Sequence, residues 1–222
     1  MSKLATHIGN IVSLFVLIAY MALSFGCESI RLTNNGVKKP RIETPSSLNK
    51  YLRNKNLENE INLIPKFEYL HSIILSGISP TTVYVFDKNG EEIQLPGASN
   101  KCAPEPSLFI KDLRSDKQYL ISNSLFLDSL HQWVYTEEGK DVDLKEINVD
   151  FYIVIFWAVW PGEKVFQRDI MGTINAFKDN TNAKIKLILI NLDKQDIWGK
   201  ENLSKVRFTK KEMNVSFGVD KN

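Results

Sequence analysis

Two apolar runs constrain this chain more than any other feature. Phe151–Trp157 reads "FYIVIFW", and Ile185–Ile190 lies inside "KIKLILIN". Between them, Phe166, Ile170, Ile174 and Phe177 recur at steps of 4, 4 and 3, one face of a helix. A strand, a helix and a strand within 40 residues (151–190) make a βαβ unit. Runs this apolar need cover on both faces, so the two strands are expected to be parallel and central. The fold class is therefore α/β, a central sheet flanked by helices.

The other elements are read by their punctuation. Pro65 suits the first turn of a helix whose apolar face is Phe67, Leu70 and Ile74, with Gly77 ending it. Thr82–Phe86, the Asn89-Gly90 turn and Glu91–Leu95 form the clearest hairpin in the chain. A loop with three prolines spans 96–107, and Ser107–Leu113 reads as a short helix. Leu125, Leu127, Leu130 and Trp133 suggest another helix face. Residues 136–147 read as a turn at Gly139 followed by a short strand, with Glu137-Glu138 and Asp141/Asp143 as solvated acidic pairs. Residues 193–211 read as a helix and Val215–Val219 as a final strand.

The N-terminus has a different character. Ile11–Phe25 is a 15-residue apolar run, shorter than a membrane span and suited to a signal-peptide core, and Gly26-Cys27 follows. "LSFGC" resembles a relaxed bacterial lipobox, with Ser24 where an aliphatic residue is usual. That resemblance implies cleavage after residue 26 and a lipidated, palmitate-bearing Cys27, a lipoprotein of the bacterial envelope facing the periplasm or the cell surface. The alternative is an uncleaved anchor, which the later Arg31, Lys38, Lys39 and Arg41 favour by the positive-inside rule. Residues 1–26 are thus assigned to the signal, 27–57 to a lipidated cysteine and flexible tether, and 58–222 to the folded domain. Net charge is +2 with no basic stripe interleaved with aromatics, so nucleic acid is not an expected partner.

The segment "FWAVWPGEK", 156–164, carries the most specific signal. With "GKDVDLKEI" before it and "LILINLDKQDIW" after, it resembles the TlpA-like, membrane-anchored branch of the thioredoxin superfamily through Gly139, Leu144, Phe156, Trp157, Ala158, Trp160, Asp193 and Trp198. In that family two cysteines follow the second Trp, and here Pro161 and Lys164 stand in their places. The resemblance also implies a helix, a cis-proline loop and a β-hairpin after the last strand, but the chain stops at 222. Residues 65–95 resemble that missing half through Pro80, Thr81, Thr82, Asp87 and Gly90. Together these imply a thioredoxin-like mixed sheet in circularly permuted order, hairpin half first and βαβ half second. An unrelated N-terminal subdomain is the alternative.

Thioredoxin chemistry needs a thiolate and a resolving thiol. The chain has two cysteines, Cys27 and Cys102, so lipidation of the first leaves no dithiol. No catalytic residue is assigned and no cofactor is expected. His71 and His131 show no metal-ligand spacing, so no metal is expected either. The resemblance implies a redox-inactive module that binds an envelope protein or peptide through Trp160, Pro161, Gly162, Glu163, Lys164, Pro80 and Thr81. The alternatives are a monothiol oxidoreductase using Cys102 and a purely structural lipoprotein.

Overall fold

The computed structural model describes residues 36–96, 106–145, 148–211 and 214–219. The apolar N-terminal run, Cys27 and Cys102 lie outside them. In chain order the elements are β1 (Ile42–Glu43), α1 (Pro45–Arg53), β2 (Ile61–Pro65), α2 (Phe67–Leu75), β3 (Val83–Asp87), β4 (Glu91–Ile93), α3 (Pro106–Lys111) and β5 (Ile121–Phe126). Then come α4 (Leu127–Trp133), β6 (Val134–Thr136), β7 (Phe151–Trp157), α5 (Glu163–Val165), a π-helical turn (Phe166–Ile170) and α6 (Met171–Asp179). The described chain ends with β8 (Ile185–Asn191), β9 (Lys194–Gln195), a 3₁₀ turn (Asp196–Trp198), α7 (Gly199–Lys205), β10 (Val206–Lys211) and β11 (Asn214–Val219).

Seven strands form one mixed sheet in the order β5-β4-β3-β7-β8-β2-β6. The two apolar runs are its centre. β7 and β8 pair in parallel from Phe151↔Ile185 to Trp157↔Asn191, and all seven residues of β7 are buried. Side-chain alternation divides the core into two layers. Tyr152, Val154, Phe156, Ile188 and Ile190 face α2, α4 and α7, with Leu70, Ile73, Leu130 and Leu203 in the same cluster. Phe151, Ile153, Ile155, Trp157, Leu187 and Leu189 face α1, α3 and α6, with Leu48, Leu52, Ile110 and Ile174. The expected α/β architecture is observed.

The hairpin joins this sheet directly. β3 lies antiparallel to β7 from Val83↔Ile155 to Asp87↔Phe151, and β4 follows on its outer side. Asp87 fixes the turn, its Oδ1 accepting from the Asn89 and Glu91 N–H groups at 2.9 Å each. Gly90 sits at φ 83°, a conformation that an Asn-Gly turn supplies cheaply.

Several expectations need correction. The segment assigned to a tether is part of the fold from Ile42 onward. Thr44 caps α1 through a reciprocal hydrogen-bond pair with Ser47, and Pro45 opens the helix. Leu48, Leu52 and Leu57 are buried, although polar neighbours on the solvent side mask them in the sequence. Pro65 ends β2 instead of starting a helix. It lies beyond the last pair with β8, Leu63↔Ile190, where that ladder asks for no donor. The turn at Gly139 is present, at φ 79°, but a strand precedes it and residues 140–145 form none. The helix after Asp193 is only Gly199–Lys205. β10 and β11 pair with each other as a separate hairpin, so the final strand does not join the main sheet. Among the described residues no helix is long and apolar enough to cross a membrane.

Candidate functional site at the Trp157–Lys164 turn

β7 delivers its last residues to the edge of the core, and the chain then turns sharply into a helix. The Gly162 N–H donates to the Val159 carbonyl at 3.3 Å, and Gly162 takes φ 99°, which disfavours any residue with a Cβ. Glu163 occupies the first helical turn, where a negative charge complements the helix dipole. It accepts from Gln167 Nε2 at 2.9 Å, from Tyr51 OH at 3.4 Å, and from Lys55 Nζ in a salt bridge. Desolvation pushes its carboxyl up, but the bonds from Lys55 and Gln167 outweigh it and hold the group below its ordinary range.

Trp157 anchors the turn from inside. It stacks on Tyr51 at 5.7 Å between centroids and meets Phe166 edge-on at the same distance. Its Nε1 donates to Asn62 Oδ1 at 3.1 Å. Asn62 in turn donates to Glu137, which also accepts from Asn49 Nδ2 at 2.8 Å. Glu137, expected in a solvated acidic pair, is buried, and desolvation raises its pKa against these two hydrogen bonds. The network ties α1, β2 and β7 together.

The loop before β3 closes one side of the turn. Pro80 and Thr81 share a cavity of about 10 Å³ with Trp157, Ala158, Pro161, Val165, Phe166 and Ile170. That is the least volume that admits one water, so the two loops are packed together. Thr81 donates its N–H to the Phe156 carbonyl at 2.8 Å, and the Phe156 N–H donates to the Thr82 carbonyl at 2.9 Å. Thr81 has φ 126°, a strained value for a β-branched residue, costing on the order of 1–3 kcal/mol. No cis peptide bond occurs among the described residues, so the Pro80 loop departs from the cis-proline that the resemblance implies.

The chain's own N-terminal segment closes the other side. The Lys38 N–H donates to the Trp160 carbonyl at 2.9 Å, and β1 pairs in parallel with β9 through Ile42↔Lys194 and Glu43↔Gln195. Beneath this segment lies Asp193, 1% exposed. Its Oδ2 accepts from the Val159 N–H at 2.8 Å and from Asn191 Nδ2 at 2.9 Å. Burial pushes its pKa up to about 7, the bonds from Val159, Asn191 and Trp160 opposing and the charge of Glu43 adding to the rise. Glu43 is also 1% exposed and accepts from Arg41 Nε at 2.5 Å and Ser47 Oγ at 2.6 Å.

Of the seven residues expected to form one binding surface, Trp160, Pro161 and Gly162 are buried, Pro80 and Thr81 are half-buried, and Glu163 and Lys164 are exposed. The structure brings Pro80, Thr81 and Pro161 together across some 80 residues of chain (80 to 161). It does not leave the Trp160 ring on the surface. In the sequence, Asp193 is legible only as the residue trailing a strand. Its support of the turn is visible only once β8 lies beside β7. The described turn holds no thiol, and among the described residues no group of three metal-ligating side chains occurs. Comparison with protein-family models, with curated proteins and with solved structures returned no match.

Proposed function

We propose that this chain is a redox-inactive, thioredoxin-like module in circularly permuted order, held in the bacterial envelope by a lipid on Cys27, and that it works by binding a protein or peptide. The observation that carries this reading is the partnership of Pro80–Thr81 with Ala158 and Pro161. Two segments that resemble opposite halves of one family's active site meet at one end of one sheet. The strand order β8-β7-β3-β4 supports it as well, since β7 and β8 are parallel and the hairpin runs antiparallel beside β7. Pro161 and Lys164 occupy the places of the two thiols, so the frame serves contact and not electron transfer.

The accessible part of this end is the rim. A cleft of about 150 Å³ opens beside Thr81 and is bounded by Pro106, Arg168, Asp169 and Thr173. Crosslinking from native membranes tests the rim, comparing wild type with a Lys164→Glu/Arg168→Glu variant. The expected result is a partner whose recovery drops about tenfold in the variant, the scale of losing a contact worth more than 1 kcal/mol. Unchanged recovery would remove this surface from consideration. A lipid label that survives Cys27→Ser would remove the anchor.

A second reading, a structural envelope lipoprotein, is favoured by the closure of the turn itself, with Trp160 only 7% exposed. It predicts no partner at the rim.

A further inference from the structure

Residues 36–43, "GVKKPRIE", lie on the protein in a way that differs from everything beneath them. Of these eight residues only Glu43 is buried. Lys38, Lys39 and Arg41 are exposed, and Ile42 is half exposed. The contact is largely main-chain in kind, one hydrogen bond from Lys38 to the Trp160 carbonyl and a two-residue parallel pairing with β9, with Val37 partly buried against the core beside it. This is how an extended peptide adds to a strand, with backbone bonds supplying the hold.

The balance of forces is unusual for a permanent element. The one side chain that docking buries fully is a carboxylate, set close enough to Asp193 for their charges to interact. Burying two acidic groups opposes closure, and within 36–43 only the partly buried Val37 and Pro40 offset it. The anchor begins only at α1, where Leu48 and Leu52 enter the core. Thr44 caps that helix from an extended backbone, φ −112° and ψ 160°, so the segment ahead of it can lift without unwinding α1.

We propose that residues 37–43 are a displaceable strap, and that an extended basic peptide segment of a partner docks at the Trp160–β9 edge by replacing it. The strap itself supplies the chemistry of the ligand. It offers a main-chain donor to the Trp160 carbonyl, two residues that pair with Lys194 and Gln195, and cations over an acidic floor at Asp193. The strap is then a competitor in cis, and apparent affinity for a partner is the intrinsic affinity multiplied by the fraction of molecules in which the strap is open. This inference rests on the binding-module reading given above, but it concerns a different face from the Thr81–Arg168 rim.

The test uses the full chain and a fluorescent synthetic peptide of residues 36–44. Lys38→Pro removes the donor to Trp160, and Arg41→Ala removes the charged partner of the buried Glu43, leaving only Ser47. Neither side chain belongs to the core. The double variant is expected to bind the labelled peptide saturably, about tenfold or more tighter than wild type, as for a site otherwise open in about one molecule in ten. In wild type, hydrogen exchange is expected to show the Lys38 amide opening below the global unfolding free energy that protects Ile155 and Leu189. Equal peptide binding by the two proteins overturns the proposal, provided β7 and β8 amides remain protected in the variant. A Lys38 amide as protected as Ile155 also overturns it. Either failure leaves the rim crosslinking result standing, and loss of the rim result leaves this one standing.

Discussion

Phe151–Trp157 and Ile42–Leu57 both belong to the packed fold, yet as sequences they have nothing in common. The first is apolar throughout and buried at every position. The second is mostly polar and reaches the interior at four points only, Glu43, Leu48, Leu52 and Leu57. A central strand is covered on both faces, so every residue in it is selected for burial and the pattern announces itself. A helix laid over one face needs only a pair of leucines four apart, a spacing that chance supplies often. Architecture is therefore legible where burial is complete and obscure where one element caps another.

The sharpest way to break this comparison is at Trp157, where the two regions meet. Removing a fully buried ring that stacks on Tyr51 and meets Phe166 edge-on is expected to cost about 3–5 kcal/mol in denaturant unfolding. A cost below about 0.5 kcal/mol, the scale of a surface change, would mean that α1 does not cover the ring. Leu52→Ala comes next, at about 2–5 kcal/mol for a well-packed leucine. A true tether at that position would leave stability unchanged.

Asp193 provides a test by pH. Its folded pKa of about 7 stands above the ordinary carboxylate value, so the folded state holds this proton more tightly than the unfolded chain. The stability it contributes is complete below about pH 4 and is lost as pH rises to about 7, with no further change above. Asp193→Asn keeps an acceptor for the Val159 N–H and removes the titration. The difference in stability between wild type and variant should slope between those limits, and a flat difference would show that Asp193 is not buried beneath the strap. Glu137 shifts in the same direction but is common to both proteins, so it cancels. The smallest effect is expected at the half-exposed Lys55–Glu163 pair, where Glu163→Gln should cost less than about 1 kcal/mol.

Much of the frame could be read in advance, for reasons that differ by element. The βαβ unit follows from two apolar runs and a four-step face, and the hairpin from Asn89-Gly90 with Asp87 beside it. The meeting of Pro80 with Pro161 is what the two resemblances, taken in their order along the chain, imply. The closure of the turn is not legible, because Lys38 and Glu43 lie in one segment and Asp193 in another far along the chain, and only the fold brings them together. Pro65 misled because proline suits both a helix start and a strand end, and the choice depended on how far β8 extends. The short β10–β11 hairpin was masked by a polar stretch whose apolar residues fit a helix equally well.

The two ends of the sheet also contrast. The end bearing the Trp157–Lys164 turn is closed on both sides, whereas a wider cleft of about 360 Å³ opens at the opposite end between Asp87, Lys88, Tyr119 and Asp150. Its carboxylates already serve the backbone, Asp87 within its turn and Asp150 at the Lys184 N–H.

The central claim is that this frame performs no thiol–disulfide chemistry. Its direct test is turnover in an insulin-reduction assay, with wild type and Cys102→Ser measured side by side. The account predicts that neither rises above the uncatalysed background. Turnover by wild type that Cys102→Ser abolishes would contradict it and make the chain a monothiol oxidoreductase.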